Sequence, residues 1–159
     1  MLSSSQTTRD LDGVPTDVLL QAFADRVLVL VTQLGKVGNL IQATIPATTD
    51  LLPPPPPDPA QPNLEPLPEP PSAIELTPLL GGPPSDHLGT LHSLYASQIA
   101  TLVWTSEAAG SLEGERRVVV IGIALSKAAT EGETTNLNEH EKAVFHGVMD
   151  MVRELLNRQ

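Results

Sequence analysis

Two apolar runs dominate the pattern of hydrophobic and polar positions along the chain. The first covers residues 27–31 and alternates valine with leucine, and the second covers residues 118–125 and is rich in valine and isoleucine. Branching at Cβ restricts χ1 and favours a pleated backbone, so both runs predict β-strands. Side chains alternate between the two faces of a strand, and neither face of these runs is polar. We therefore expect both faces of each strand to be covered.

The segments before the first run predict two further strands. Residues 3–12 are polar and compatible with a strand. Residues 17–24 fit helix and strand templates alike, but the short gap at Asp25 and Arg26 favours an antiparallel hairpin with the first run. A turn is expected at residues 13–16, because glycine permits positive φ and proline removes a donor.

Two more strands are predicted between the apolar runs. A turn at residues 35–38 leads into residues 39–45, which we expect to pair with the first run as its hairpin partner. Residues 73–80 alternate and precede two glycines, which indicates a short strand. Pro78 would confine that strand to a sheet edge or a bulge, since proline cannot donate to the ladder.

Apolar residues at three- and four-residue spacing predict two helices. The first extends from Ser85, a good N-cap, to Gly110, which can close the helix. The second covers residues 136–158, with Asn136 as its cap and an apolar stripe from Val144 to Leu155.

These elements predict an α+β fold with a six-stranded, mostly antiparallel sheet and two helices on one face. Two helices cover one face only, and a large apolar patch left in water is rare in monomers. The other face is therefore expected to pack against a partner sheet, which gives α-β-β-α layers in a dimer. The candidate residues for the partner interface or the sheet core are Val27, Val29, Val31, Val118, Val120 and Ile123.

A proline-rich segment interrupts what is otherwise a single domain spanning residues 1–159. All but one of the 16 prolines lie between Pro46 and Pro84. We predict that residues 46–72 form a disordered, polyproline-like loop insertion, because prolines cannot support a helix or a ladder. Two interpretations stay open: a tolerated surface insertion, or a ligand for a domain that binds proline-rich peptides.

Charge and composition narrow the classes of partner. The formal net charge is −10, which argues against nucleic acids and anionic membranes because both require clustered Lys and Arg. The chain has no cysteine, no apolar run of membrane-spanning length and no signal-peptide pattern at its N-terminus. These features predict a soluble protein of the cytoplasm or nucleus.

No motif points to catalysis, a cofactor or a metal. The four histidines lack the spacing of a zinc pair, so we interpret them as surface residues. The glycines at 35 and 38 are too close for a phosphate-binding loop, and no Gly-x-Ser-x-Gly elbow is present. Two alternatives remain: a dimeric scaffold of a trafficking or GTPase-regulating complex, or a small hydrolase or ligand-binding protein.

Several motifs follow one another along the chain in a distinctive order. Gly13-Val14-Pro15-Thr16 precedes the block Leu30-Val31-Thr32-Gln33-Leu34-Gly35-Lys36-Val37-Gly38. Later motifs are Leu79-Leu80-Gly81, Ser106-Glu107-Ala108-Ala109-Gly110 and the second apolar run. This order resembles the proteasome assembly chaperone 3 family, and the block at residues 30–38 is the most specific part of the similarity. The proline-rich segment departs from the family pattern and resembles an insertion before the fifth strand.

The resemblance implies a chaperone without catalytic residues. Members of that family pair with themselves or with proteasome assembly chaperone 4, sheet against sheet. The pair binds α-subunits of the 20S proteasome, promotes correct α-ring formation and leaves before the particle matures. Such a chaperone needs polar contacts that allow release, and the candidates by position are Arg26, Lys36, Arg116 and Arg117.

Overall fold

The computed structural model describes most of the chain. The described residues are 3–33, 35, 37–60, 62, 66–83, 85–110, 116–126 and 139–158. Their strands are β1 (Ser3–Leu11), β2 (Val14–Ala22), β3 (Arg26–Thr32), β4 (Asn39–Thr44), β5 (Glu75–Leu80) and β6 (Val118–Ala124). Their helices are α1 (Asp86–Gly110) and α2 (Glu139–Asn157).

The six strands form one sheet in the order β1-β2-β3-β6-β4-β5. Only the β3–β6 pairing is parallel, and the other four pairings are antiparallel. Helix α2 contacts β1 and β2, whereas α1 contacts β4, β5 and β6. The predicted α+β fold, with its mostly antiparallel six-stranded sheet and two helices, is confirmed.

One predicted pairing is wrong, because β4 is not the hairpin partner of β3. Strand β6 lies between them, and the connection after β3 passes around the end of β6. The Gln33 amide donates to the Ala124 carbonyl at 2.8 Å, and the Gln33 side-chain oxygen accepts from the Ser126 amide at 3.0 Å. Gly38 has φ +70°, and a Cβ there would lie 2.2 Å from the Ile123 carbonyl oxygen. The glycine is required because the connection runs directly against β6.

The β1–β2 turn lies one residue earlier than predicted. Asp12 and Gly13 both have positive φ, 51° and 85°. A two-residue Asp-Gly turn of this kind matches the twist of an antiparallel hairpin. Pro15, placed in the turn by the sequence prediction, already belongs to β2 and stands opposite Asp10.

Both helices and the edge strand agree with their sequence signals. The Ser85 hydroxyl accepts a hydrogen bond from the Leu88 amide at 3.2 Å, which confirms the predicted cap of α1. The predicted stripe of α2 is buried, while its predicted cap, Asn136, lies outside the described residues. Strand β5 is an edge strand whose register shifts beside Pro78, as predicted.

The core lies between the helices and one face of the sheet. Trp104 is 1% exposed, and its indole N–H donates to the Arg117 carbonyl at 2.8 Å, which satisfies the polar end of a large apolar side chain. Tyr95 meets Phe145 of α2 edge-on, with ring centroids 5.1 Å apart. Burial, with a contribution from Glu141, raises the pKa of Tyr95 well above its usual range.

Part of the proline-rich segment packs against the helices. We call residues 66–71 the strap. The Gln98 side chain of α1 donates to the Pro68 carbonyl at 2.9 Å, and Arg153 of α2 donates to the Pro66 carbonyl at 2.5 Å. Pro68 is buried, and Leu67 packs against the core. The prediction of a solvated segment throughout residues 46–72 therefore does not describe the strap.

Candidate partner-binding face

One face of the sheet carries apolar side chains that neither helix covers. We call it the open face. Strand register places on it the residues that point away from the helices: Leu19, Leu28, Leu30, Leu40, Val118, Val120, Gly122 and Ala124. None of these leucines and valines belongs to the hydrophobic cluster that the helices close, among the described residues. The open face is therefore a second apolar surface built on the same strands.

The centre of the open face is shaped by a glycine. Gly122 of β6 lies opposite Leu30 of β3 on one side and Leu40 of β4 on the other. A Cβ at Gly122 would lie 2.5 Å from Leu30 Cδ2, 3.1 Å from the Val37 carbonyl oxygen and 3.2 Å from Leu40 Cδ2. The two leucines thus close over the glycine beside one backbone carbonyl of the β3–β4 connection.

Polar residues border this surface on the β1 side. Ser4, Gln6, Thr8 and Asp10 of β1 are exposed, and the Thr8 hydroxyl donates to the Asp17 carboxylate of β2. An apolar centre with a polar rim is the usual anatomy of a protein–protein interface. The arrangement has the chemistry of a docking surface.

The six predicted interface-or-core residues divide between the two faces. Val27, Val29, Val31 and Ile123 point towards the helices and are at most 1% exposed, so they belong to the monomer core. Val118 and Val120 point to the open face, because side chains alternate along β6 and Ile123 has the opposite parity. The predicted set therefore mixes two surfaces.

The predicted set omits Leu28 and Leu30 of β3 and four further open-face residues. Leu19 and Leu40 lie on β2 and β4, and Gly122 and Ala124 lie on β6. The signal that identifies them is the alternation of side chains along a strand. Gly122 and Ala124 lie an even number of residues after Val118, and Leu19 and Leu40 pair in register with Leu30 and Gly122. Using that signal requires the strand order, which the local pattern does not give.

The four predicted polar contacts also have different surroundings. Arg117 is used inside the chain, where its guanidinium donates to Glu107 at 2.6 Å and to the Phe23 carbonyl at 2.8 Å. Arg116 donates to the Pro46 carbonyl at 3.0 Å. Arg26 is exposed and paired with Asp25 at 2.9 Å, which lowers the pKa of the Asp25 carboxyl. Lys36 lies outside the described residues.

The histidines are not all surface residues, which corrects the sequence prediction. His92 is 6% exposed, and its Nδ1 lies 3.3 Å from the Asn39 amide nitrogen. Burial lowers the pKa of His92, because desolvation disfavours the charged imidazolium. His87 Nε2 lies 2.9 Å from the Glu141 carboxylate and joins α1 to α2. His140 contacts Asp12 at the β1–β2 turn.

Position 92 carried a signal for burial. It follows Leu88 by four residues and precedes Tyr95 by three, so it lies on the apolar stripe of α1.

Within the part of the chain that the structure describes, no helix has the length and apolar character to cross a bilayer. In the same residues, no three or more His, Asp or Glu side chains converge as a metal site would require.

The fold and the open face define an α+β protein with an interface-like sheet surface. A search of curated proteins finds proteasome assembly chaperone 3 of Bos taurus, 51% identical over 41 residues, and proteasome assembly chaperone 3 of Homo sapiens, 46% identical over 41 residues. Each match covers 26% of this chain and 34% of the relative, so the chain spans about a third of the length of the curated relatives it matches. No protein-family model matches the chain. The matches confirm the resemblance to proteasome assembly chaperone 3.

Proposed function

We propose that this chain is a non-enzymatic chaperone for assembly of the 20S proteasome. The observation that carries the proposal is the 41-residue match to proteasome assembly chaperone 3 at up to 51% identity. The open face supports it, because a chaperone acts through a binding surface and this one has an apolar centre and a polar rim.

The proposed active form is a dimer joined through the open face. The partner is a proteasome assembly chaperone 4-like protein or a second copy of the chain, and the layers are α-β-β-α. Pairing would remove Leu28 and Leu30 of β3 from water, together with Val118 of β6. These side chains are already partly buried in the single chain, so each would contribute less than the roughly 1.5–3 kcal/mol of a large aliphatic side chain moved from full exposure to full burial.

The proposed clients are α-subunits of the 20S proteasome. The dimer holds them while a correct α-ring forms, and it leaves before the particle matures. Contacts to the client must be weaker than those within the dimer, because the client has to be released. Exposed charges fit this requirement, since ion pairs in water contribute little binding energy. Arg26, whose partner Asp25 is itself exposed, is one proposed polar contact. Lys36, which lies outside the described residues, is proposed as another from its place in the sequence alone. The proposed location is the cytoplasm, or the cytoplasm and nucleus.

The test is affinity purification of the tagged chain from native extract, with mass spectrometry of every co-purifying protein. We expect α-subunits, a chaperone 4-like partner and incomplete α-rings, without mature proteasomes. Recovery of trafficking or GTPase-regulating components without proteasome subunits would instead support the scaffold alternative and contradict the proposal.

A matched pair of variants ties the result to the open face. Leu30→Asp places a charge at the centre of that face, whereas Leu94→Asp makes the same change at a leucine on α1 that is 43% exposed. We expect Leu30→Asp to lose the chaperone partner and Leu94→Asp to retain it. Equal recovery of the partner by both variants would remove the open face from the proposal.

A further inference from the structure

The exposed part of the proline-rich segment has features that packing of the domain does not require. Residues 52–60 are all exposed, and they include the five consecutive prolines Pro53 to Pro57. Leu52, immediately before the run, is 57% exposed. An exposed leucine beside an exposed apolar run leaves apolar surface that the domain itself does not bury.

The conformation of the run follows from its residues. Proline fixes its own φ, and each residue that precedes a proline is held in the extended region. The described residues contain no cis peptide bond. A five-proline run with trans bonds adopts the polyproline II helix, with three residues per turn and no internal hydrogen bonds. Leu52 and Pro55 then share one edge, and Pro53 and Pro56 share the next.

The chain contacts the domain both before and after the run. Before it, Leu51 packs against the core and the Pro46 carbonyl accepts from Arg116. After it, the strap is held by Gln98 of α1 and Arg153 of α2. The entropy cost of binding the run is reduced by the stiffness of the prolines themselves.

The charges around the run select the kind of groove that fits it. Asp50 and Asp58 flank the prolines, and residues 46–72 contain no Lys or Arg. Both flanking carboxylates belong to exposed residues. A groove with basic side chains at its rim would complement these charges, whereas an acidic rim would repel them.

We propose that residues 52–58 are a docking ligand for a folded domain with an aromatic-lined, proline-binding groove bordered by Lys and Arg. Aromatic grooves bind polyproline II segments because the helix is already formed before binding. This is a second interaction site, separate from the open face and independent of the proposed function.

The test is titration of the full ¹⁵N-labelled chain with two isolated domains. One is an EVH1 domain chosen for a basic groove rim, and the other is an SH3 domain with an acidic rim. We expect the EVH1 domain to shift the amide signals of Leu52 and Asp58, and the SH3 domain to bind at least tenfold more weakly. Absence of binding to the EVH1 domain at submillimolar concentration, or tighter binding to the SH3 domain, would overturn the proposal.

Two variants separate the parts of the recognition. Replacing Pro53, Pro54, Pro56 and Pro57 by Ala removes the stiff helix, and we expect EVH1 binding to weaken at least tenfold. Asp50→Asn with Asp58→Asn retains the prolines, and we expect a smaller loss and a flatter dependence on salt. Unchanged circular dichroism serves as the folding control, because the substituted prolines are exposed. Equal binding by the parent and the proline variant would contradict the proposal.

Discussion

The two faces of the sheet are made by alternate residues of the same strands, yet they differ in what lies against them. In β3, Val27, Val29 and Val31 lie under the helices and are at most 1% exposed. Leu28 and Leu30, between them, are only partly buried and face away from both helices. Because side chains alternate strictly, one strand can stabilise the monomer with one set of residues and bind a partner with the other.

The sharpest way to test this difference is a pair of truncations in β6. Ile121→Ala removes a fully buried side chain from the helix-covered face, and we expect it to reduce the free energy of unfolding by about 2–5 kcal/mol. Val118→Ala, on the open face, should change the free energy of unfolding of the monomer by less than about 1 kcal/mol. Urea denaturation of both variants measures the difference, and equal losses would show that the two faces are not distinct in the monomer.

A second prediction concerns the connection that puts β6 between β3 and β4. Both glycines have φ of +70°, which is unfavourable for alanine. In Gly38→Ala the new Cβ would also clash with the Ile123 carbonyl, whereas in Gly35→Ala no atom lies within 4 Å of the new Cβ. We expect about 1 kcal/mol of destabilisation for Gly35→Ala and at least about 2 kcal/mol for Gly38→Ala. Thermal or urea unfolding checks the order. The reverse order would mean that the connection does not run against β6.

The smallest expected effect is the pH dependence from His92, on the helix-covered side. Its pKa in the folded chain is lowered, so the unfolded chain binds the extra proton more tightly. The stability that this group provides is complete above its unfolded pKa of about 6.5 and is lost as the pH falls towards and through the folded value.

His92→Gln retains a polar side chain near Asn39 but cannot titrate. Below pH 6.5 we expect the stability of the parent to fall more steeply than that of the variant, by less than about 1.4 kcal/mol per pH unit. His87, His140 and His146 are present in both proteins, so the difference between the two curves isolates His92. Parallel curves would mean that His92 is not held neutral by burial.

Local pattern was sufficient for most elements of the fold. The β-branched runs predicted β3 and β6, the three- and four-residue spacing predicted both helices, and Pro78 predicted an edge or bulge. These properties depend on residues within one element. The placement of β6 between β3 and β4 could not be predicted, because it joins residues that are 76 to 92 positions apart in the sequence and the turn at 35–38 has the pattern of a simple hairpin.

For the open face, too, local pattern predicts some features, while others depend on the strand order. The sequence indicated that one apolar face would lack helices, since two helices cover only one side of a sheet. Without the strand register, the sequence does not assign each residue to a face, and the predicted set therefore includes Ile123 together with Val118 and Val120. Position in the sequence predicts Arg117 as a polar partner contact, but its guanidinium binds Glu107 and the Phe23 carbonyl, which approach it only in the folded chain.

The proposed dimer joins two chains through the open face. The most direct measurement is sedimentation equilibrium of the purified chain at tens of micromolar, alone and mixed with a chaperone 4-like partner, for the parent, Leu30→Asp and Leu94→Asp. We predict a dimer for the parent and Leu94→Asp in at least one of the two conditions, and a folded monomer for Leu30→Asp in both. A monomeric parent in both conditions, or a dimer of Leu30→Asp as stable as that of the parent, would contradict the account.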